Sequence, residues 1–301
     1  MAFAQHSKRG FPRLAAATLA VLLLAGIGPV EAHGLGVEAD GAFGNLGFTR
    51  DRDDDDTDLG AKTYPWEGRL SVYGTVLDGF RLRGTYTRDP VARNTVAVTL
   101  GYQGQIVRVA AGPFVGFVLD AENPYRIKPG VSASLRAELW KIGYASFESD
   151  ITLDPQLEDK NDDFRQFRVN AQTGFYAENI ITSLEFSRST LFRADDEGPA
   201  RDRRTDYSLQ TELFRKNIPY RILLRFGYRT ELKEFPTDTT HALGAAVFTP
   251  GVTYAPAEEL TIRARLENGI YVFGREDLLG EVESDRYFFR ALLGVRYSLP
   301  E

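Results

Sequence analysis

The sequence predicts an all-β fold, a transmembrane antiparallel up-and-down β-barrel of about 14 strands, with about 12 as the lower bound. Three observations lead there. Runs of residues alternate between an apolar stripe and a stripe that carries charge at mid-run, the period-two signature of a strand with two unlike faces. The connections between runs alternate short and long along the whole chain. Helical periodicity appears nowhere over a useful length after the first segment.

That first segment has its own logic. Lys8, Arg9 and Arg13 precede an apolar run from Leu14 to Ile27, followed by Pro29, Val30, Glu31 and Ala32. Basic residues, a short apolar run and small residues at the −3 and −1 positions describe a secretory signal peptide, with cleavage expected after Ala32. A retained helical anchor is the alternative, but the run is short of the roughly 20 residues a span requires. Residues 33–301 then form one barrel domain. Removing Lys8, Arg9, Arg13 and Glu31 takes the net charge from −6 to −8. The chain has no cysteine, which excludes disulfide stapling and thiolate metal sites.

From Gly34 onward, strands are expected at 35–48, 67–77, 80–88, 94–103, 105–119, 130–140 and 142–153. Others are expected at 164–176, 180–192, 206–215, 219–231, 241–254, 259–272 and 286–299. Short connections fall at 77–79, 103–105, 140–141, 177–179, 216–218 and 255–258. Long ones fall at 50–65, 88–94, 120–130, 154–163, 193–205, 232–240 and 274–285. An up-and-down barrel has tight turns at one end, long loops at the other, and both termini on the tight-turn side. Two runs sort poorly. Residues 105–119 are apolar on both stripes around Pro113, and 241–254 contain Pro250, a residue tolerated at bulges and strand ends.

The last strand shows the pattern most clearly. Tyr287, Phe289, Ala291, Leu293, Val295, Tyr297 and Leu299 make an apolar stripe with aromatic residues near both ends. That distribution suits a strand facing lipid, with rings at the headgroup levels. Val131, Ala133, Leu135, Ala137 and Leu139 repeat it, as do Tyr220, Ile222, Leu224, Phe226 and Tyr228. The opposite stripes collect the charges: Arg81, Arg83, Arg136, Glu138, Glu148, Arg168, Glu185, Glu212, Arg221, Arg225, Arg229, Arg263, Arg265, Glu267, Arg290 and Arg296.

With these features the chain resembles bacterial outer-membrane β-barrel proteins, and in size and hairpin count the monomeric fourteen-stranded porins. The resemblance spans roughly residues 34–299 and is one of architecture, without a short motif. It implies outer-membrane lipid, lipopolysaccharide and the barrel-assembly machinery as partners. Members of that class usually end on an aromatic residue. This chain departs from the pattern with Leu299-Pro300-Glu301.

The charged stripe is the candidate functional surface. Arginine holds carboxylates bidentately and stays charged. A luminal wall rich in it therefore reads either as a selectivity filter favouring anions or as a lattice of ion pairs that closes the lumen. Acidic clusters at 51–58, 158–163 and 195–197 lack the calcium-loop pattern of spaced Asp, Gly and Glu, and read as a solvated surface. Only His33 and His241 remain after the leader, and no nucleophile, phosphate loop or HExxH motif accompanies them. No enzyme, cofactor or metal is expected, nor nucleic acid for so acidic a chain. The expected function is passive diffusion of small hydrophilic, preferentially anionic, solutes. Two alternatives stand beside it: a plugged structural or adhesive barrel acting through its acidic loops, and a soluble periplasmic β-sandwich binding protein.

Overall fold

A computed structural model describes residues 33–44, 66–118, 126–140, 142–153, 164–195, 198–234, 240–274 and 287–299. The expected leader and the acidic clusters at 51–58 and 158–163 lie outside these residues, as do Asp196, Glu197, Pro300 and Glu301.

The described residues form fourteen antiparallel strands: β1 (His33–Gly44), β2 (Trp66–Leu77), β3 (Phe80–Asp89), β4 (Arg93–Gln103), β5 (Val107–Val118), β6 (Arg126–Leu139) and β7 (Gly143–Thr152), then β8 (Phe164–Tyr176), β9 (Ile180–Asp195), β10 (Gly198–Phe214), β11 (Tyr220–Glu234), β12 (Thr240–Tyr254), β13 (Leu260–Gly274) and β14 (Tyr287–Ser298). Each strand pairs with its sequence neighbours, and β1 pairs with β14 from Gly36 opposite Ser298 to Gly44 opposite Arg290. The sheet is thereby closed. Closure leaves no unpaired edge, which a lipid environment requires of any spanning sheet.

Tight turns and both strand termini gather at one end, here called the inner end. Phe80 follows Leu77 through Asp78 and Gly79, and Gly79 takes φ +78°, a conformation that costs glycine nothing. Asn217 takes φ +74° in the β10–β11 turn, a conformation to which asparagine adapts better than most residues. At the opposite, outer end the strands run further than expected. The segment 193–205 is not a loop: β9 and β10 continue as a ladder to Asp195 opposite Gly198. The segment 88–94 contracts to the short turn between Asp89 and Arg93. In both places the hydrogen-bonded ladder outcompetes the loop suggested by polar residues.

The pleat sorts the side chains as the alternation requires. Outward residues are large, apolar and exposed: Leu135, Phe147, Leu184, Leu209, Ile222, Phe226, Leu266, Leu293 and Val295 among them. A soluble monomer does not leave a continuous apolar band uncovered, so the band is a lipid-facing surface. At the inner end aromatic rings line its rim, with Tyr220 stacked on Tyr254 at 4.6 Å between centroids and Phe80 against Tyr102 at 5.5 Å. Closure and outward apolarity together exclude the soluble sandwich. Pro113 and Pro250 point outward within β5 and β12. The β4–β5 ladder skips Gly112 and Pro113, and the β12–β13 ladder skips Thr249 and Pro250, as expected where an N–H is missing.

Candidate functional site: ion pairs across the lumen

Each of the sixteen charged residues singled out in the sequence belongs to the inward stripe of its strand. Several of them meet in a single closed ring with partners the sequence reading did not name. Glu67 on β2 pairs with Arg204 on β10 at 3.4 Å, and Arg204 Nε donates to Asp206 at 3.0 Å. Arg229 on β11 joins Asp206 at 2.6 Å and reaches Glu267 on β13 with both terminal nitrogens, at 2.9 and 3.1 Å. Glu267 also accepts two hydrogen bonds from Arg290 on β14, at 2.7 and 2.8 Å, and Arg290 returns to Glu67 at 2.8 Å. Three arginines and three carboxylates alternate around the ring. The side chains of Arg229, Glu267 and Arg290 are 3–4% exposed. Ions removed so far from water persist only when fully paired.

This ring spans the barrel. Following the closed order through β1 and β14, β2 and β10 lie six strands apart out of fourteen, nearly opposite. A second brace joins Arg69 on β2 to Glu148 on β7 at 3.4 Å. A third is built from backbone. Asp89 accepts the N–H groups of Val91 and Ala92 at 2.7 Å each, which folds the β3–β4 turn inward. Ser189 on β9 donates to the other oxygen of Asp89 at 2.9 Å, and Gln166 on β8 donates to the carbonyl of Ala92 at 2.5 Å. Val91 packs there against buried Phe164 and Leu191.

Apolar side chains on the inward stripe fill the space beside these polar braces. Leu243, Ala245, Tyr271 and Phe288 form one buried cluster. Phe114 is 2% exposed and explains the two-sided apolar character of β5. Its ring stands over Gly130, where a Cβ would meet it at 2.2 Å. Part of the outer half of the lumen is therefore filled by apolar packing as well as by ion pairs.

Beside these braces the lumen encloses a cavity of ≈ 820 Å³ that runs from Asp89 and Ser189 near the outer end to Gln103 and Arg108 near the inner end. Fourteen arginines and eight carboxylates line it. Arg225 pairs with Glu185 at 3.2 Å, and Arg263 with Glu38 at 2.5 Å and Asp40 at 3.4 Å. Arg168 joins Asp150. Arg136 holds Glu138 at 2.8 Å and stacks over the Tyr144 ring at 4.1 Å, while Tyr176 donates to Glu138 at 2.8 Å. Arg221 and Glu212 approach at 3.9 Å, Arg83 and Glu38 at 3.7 Å. Arg265, Arg81 and Arg296 are not in these pairs.

The sequence reading missed Glu67, Arg204 and Asp206 within the ring. A signal for the last two was present: Asp202, Arg204 and Asp206 continue the every-second-residue stripe of Ser208, Gln210 and Glu212. Placing a loop at 193–205 hid Arg204, whereas Asp206 lay inside the expected strand 206–215 and was passed over at its first position. The inward apolar residues were missed for another reason, since an apolar residue on a mixed stripe leaves no mark in periodicity. No group of three metal-ligating residues occurs among the described residues.

Closed antiparallel ladder, lipid-facing band and charged interior define the class: a fourteen-stranded transmembrane β-barrel of the outer-membrane type. No protein-family model matches the chain, and no curated protein does. Among solved structures the chain is similar to a FadL homologue of Pseudomonas aeruginosa, at 10% identity, a TM-score of 0.49, and coverage of 89% of this chain and 90% of the other. It is similar to an outer-membrane channel from Pseudomonas putida F1 at 10% identity and a TM-score of 0.47, covering 90% and 96%. An anion-selective porin from Comamonas acidovorans follows at 10% identity and 0.43, covering 89% and 99%.

Proposed function

We propose that the protein is an outer-membrane channel whose passage favours anions and is held shut in its outer half by the six-membered ion-pair ring. The carrying observation is the cavity wall, with fourteen arginines against eight carboxylates, an excess that persists when Glu38 and Glu138, the partners of Arg263, Arg83 and Arg136, are set beside them. A low-dielectric wall focuses that excess charge, raising the local concentration of anions and excluding cations. Movement would be diffusive, without energy coupling or a cofactor. The ring sets the condition for passage: solutes cross only when Glu67 lets go of Arg204 and Arg290, or the β3–β4 turn withdraws.

A second reading is favoured by the apolar packing and ion pairs in the outer half, namely a permanently plugged barrel that acts structurally. Planar-bilayer recording of the purified full chain separates the two. The channel reading expects rare, small steps that become frequent in Glu67→Gln, with reversal potentials displaced toward the anion. Silence from both proteins means a permanent plug, and cation preference in the open variant overturns the anion reading.

A further inference from the structure

The inner mouth of the cavity holds a group of cations that the ion-pair lattice leaves uncompensated. Arg81 on β3 and Arg296 on β14 approach one ring, that of Tyr73 on β2, with guanidinium carbons 4.8 and 5.9 Å from its centroid. Arg296 Nε donates to the Tyr73 hydroxyl at 3.1 Å, and that hydroxyl also shares a hydrogen bond with Ser298 at 3.1 Å. Tyr73 is itself buried, so it fixes the two arginines as a platform. Arg108 on β5 is close by: Arg81 stands opposite Gly101 on β4, and Gly101 opposite Ala110, two residues along β5 from Arg108. All three arginines line the cavity.

The surrounding carboxylates are engaged elsewhere. Glu38 stands opposite Arg296 in the β1–β14 ladder, yet it is taken by Arg263 and Arg83. Glu138 is taken by Arg136 and Tyr176. Among the described residues no carboxylate lies within 4.0 Å of the guanidinium groups of Arg81, Arg108 or Arg296, and Arg81 Nε is buried without a hydrogen-bond partner. Like charges collected on a rigid aromatic platform without counter-ions are a costly arrangement unless an anion joins them.

We propose that Arg81, Arg108 and Arg296, braced by Tyr73, form a binding site at the inner mouth for a multiply charged oxyanion of the phosphate type. This deepens the anion-passage reading and rests on it for its biological sense. The planar guanidinium fork matches phosphate oxygens. A dianion neutralises most of the three charges, whereas a monocarboxylate leaves two. Because the side chains line the lumen, the ligand is a soluble phosphate and not a lipid headgroup.

The test is calorimetric titration of inorganic phosphate into the folded full chain in detergent micelles, with folding verified by heat-dependent mobility in SDS. Saturable one-site binding is expected, weakened at least about tenfold in Arg81→Gln/Arg296→Gln, since charge-assisted bonds are lost. The rim variant Arg108→Gln, which disturbs little packing, should weaken it severalfold. Lys216→Gln, removing an exposed charge at the same end, should bind as the parent does. Absence of saturable binding, unchanged affinity in both arginine variants, or equally tight binding of acetate each overturns the site. Displacement by added phosphatidylglycerol overturns the soluble ligand. Because binding is read without conduction, anion currents with no phosphate binding would sink this site alone. Binding in a silent barrel would sink the passage instead.

Discussion

Glu267 on β13 is gripped from two sides by Arg229 and Arg290, each offering two nitrogens within 3.1 Å. Removing this one carboxylate strands two buried guanidinium groups. Breaking a buried pair from one side costs about 3–5 kcal/mol, mostly from the charge left behind. Glu267→Gln should therefore lower the unfolding free energy of the refolded barrel, read by urea titration, by that order. An unfolding free energy within about 0.5 kcal/mol of the parent, the usual range for surface changes, would show that the ring carries no stability.

Selectivity should respond to the paired arginines of the cavity wall. Changing Arg225 and Arg263 together to Glu sets new carboxylates beside Glu185, Glu38 and Asp40, the present partners of the two arginines. In a background opened by Glu67→Gln, the reversal potential is expected to move toward the cation value. An unmoved potential refutes their role.

The buried apolar cluster around Phe288 depends on the absence of a side chain at Gly269. A Cβ there would stand 2.0 Å from the Phe288 ring, and Phe288 is 3% exposed within the cluster of Leu243, Ala245 and Tyr271. Overpacking of this kind costs about 1–3 kcal/mol. Gly269→Ala should destabilise the barrel by that amount, and Phe288→Leu in the same chain should recover most of it. Equal losses in the single and double variants would mean that the backbone, not the ring, is what resists.

The lipid-facing band predicts a depth-dependent penalty. Leu266 lies outward at mid-strand on β13 and is 45% exposed. An arginine facing lipid near the midplane costs about 2–4 kcal/mol, so Leu266→Arg should reduce folding into bilayers while leaving micellar solubility intact. Tolerance equal to that of an inner-rim substitution such as Tyr297→Arg would contradict the assignment of this face.

The barrel was legible because alternation is a local property. Neighbouring residues on a strand must point to opposite sides, so Leu209 outside and Ser208 inside follow from adjacency alone. Once several runs alternate and their connections alternate in length, antiparallel neighbours and the meeting of β1 with β14 follow. The same parity placed the sixteen charged residues named from the sequence on inward stripes. It failed at the outer end, where polar residues such as Asp202 and Arg204 suggested a loop and the ladder continued through them.

What parity could not supply is the identity of the partners. Glu67 and Arg204 are 137 positions apart, and their meeting depends on barrel circumference and on side-chain reach across the lumen. Nothing in either strand encodes the other. The same holds for Phe114, Phe164, Leu191 and Phe288, whose inward positions are legible but whose contacts arise only when opposite walls converge. Sequence alone therefore determined a closed sheet with a charged interior, because strand pleat is set residue by residue. Only the tertiary structure decided that Glu67, Arg204, Asp206, Arg229, Glu267 and Arg290 join in one ring, while among the described residues Arg81, Arg108 and Arg296 meet no carboxylate, because that outcome depends on which charges the closed circle brings within ion-pair distance.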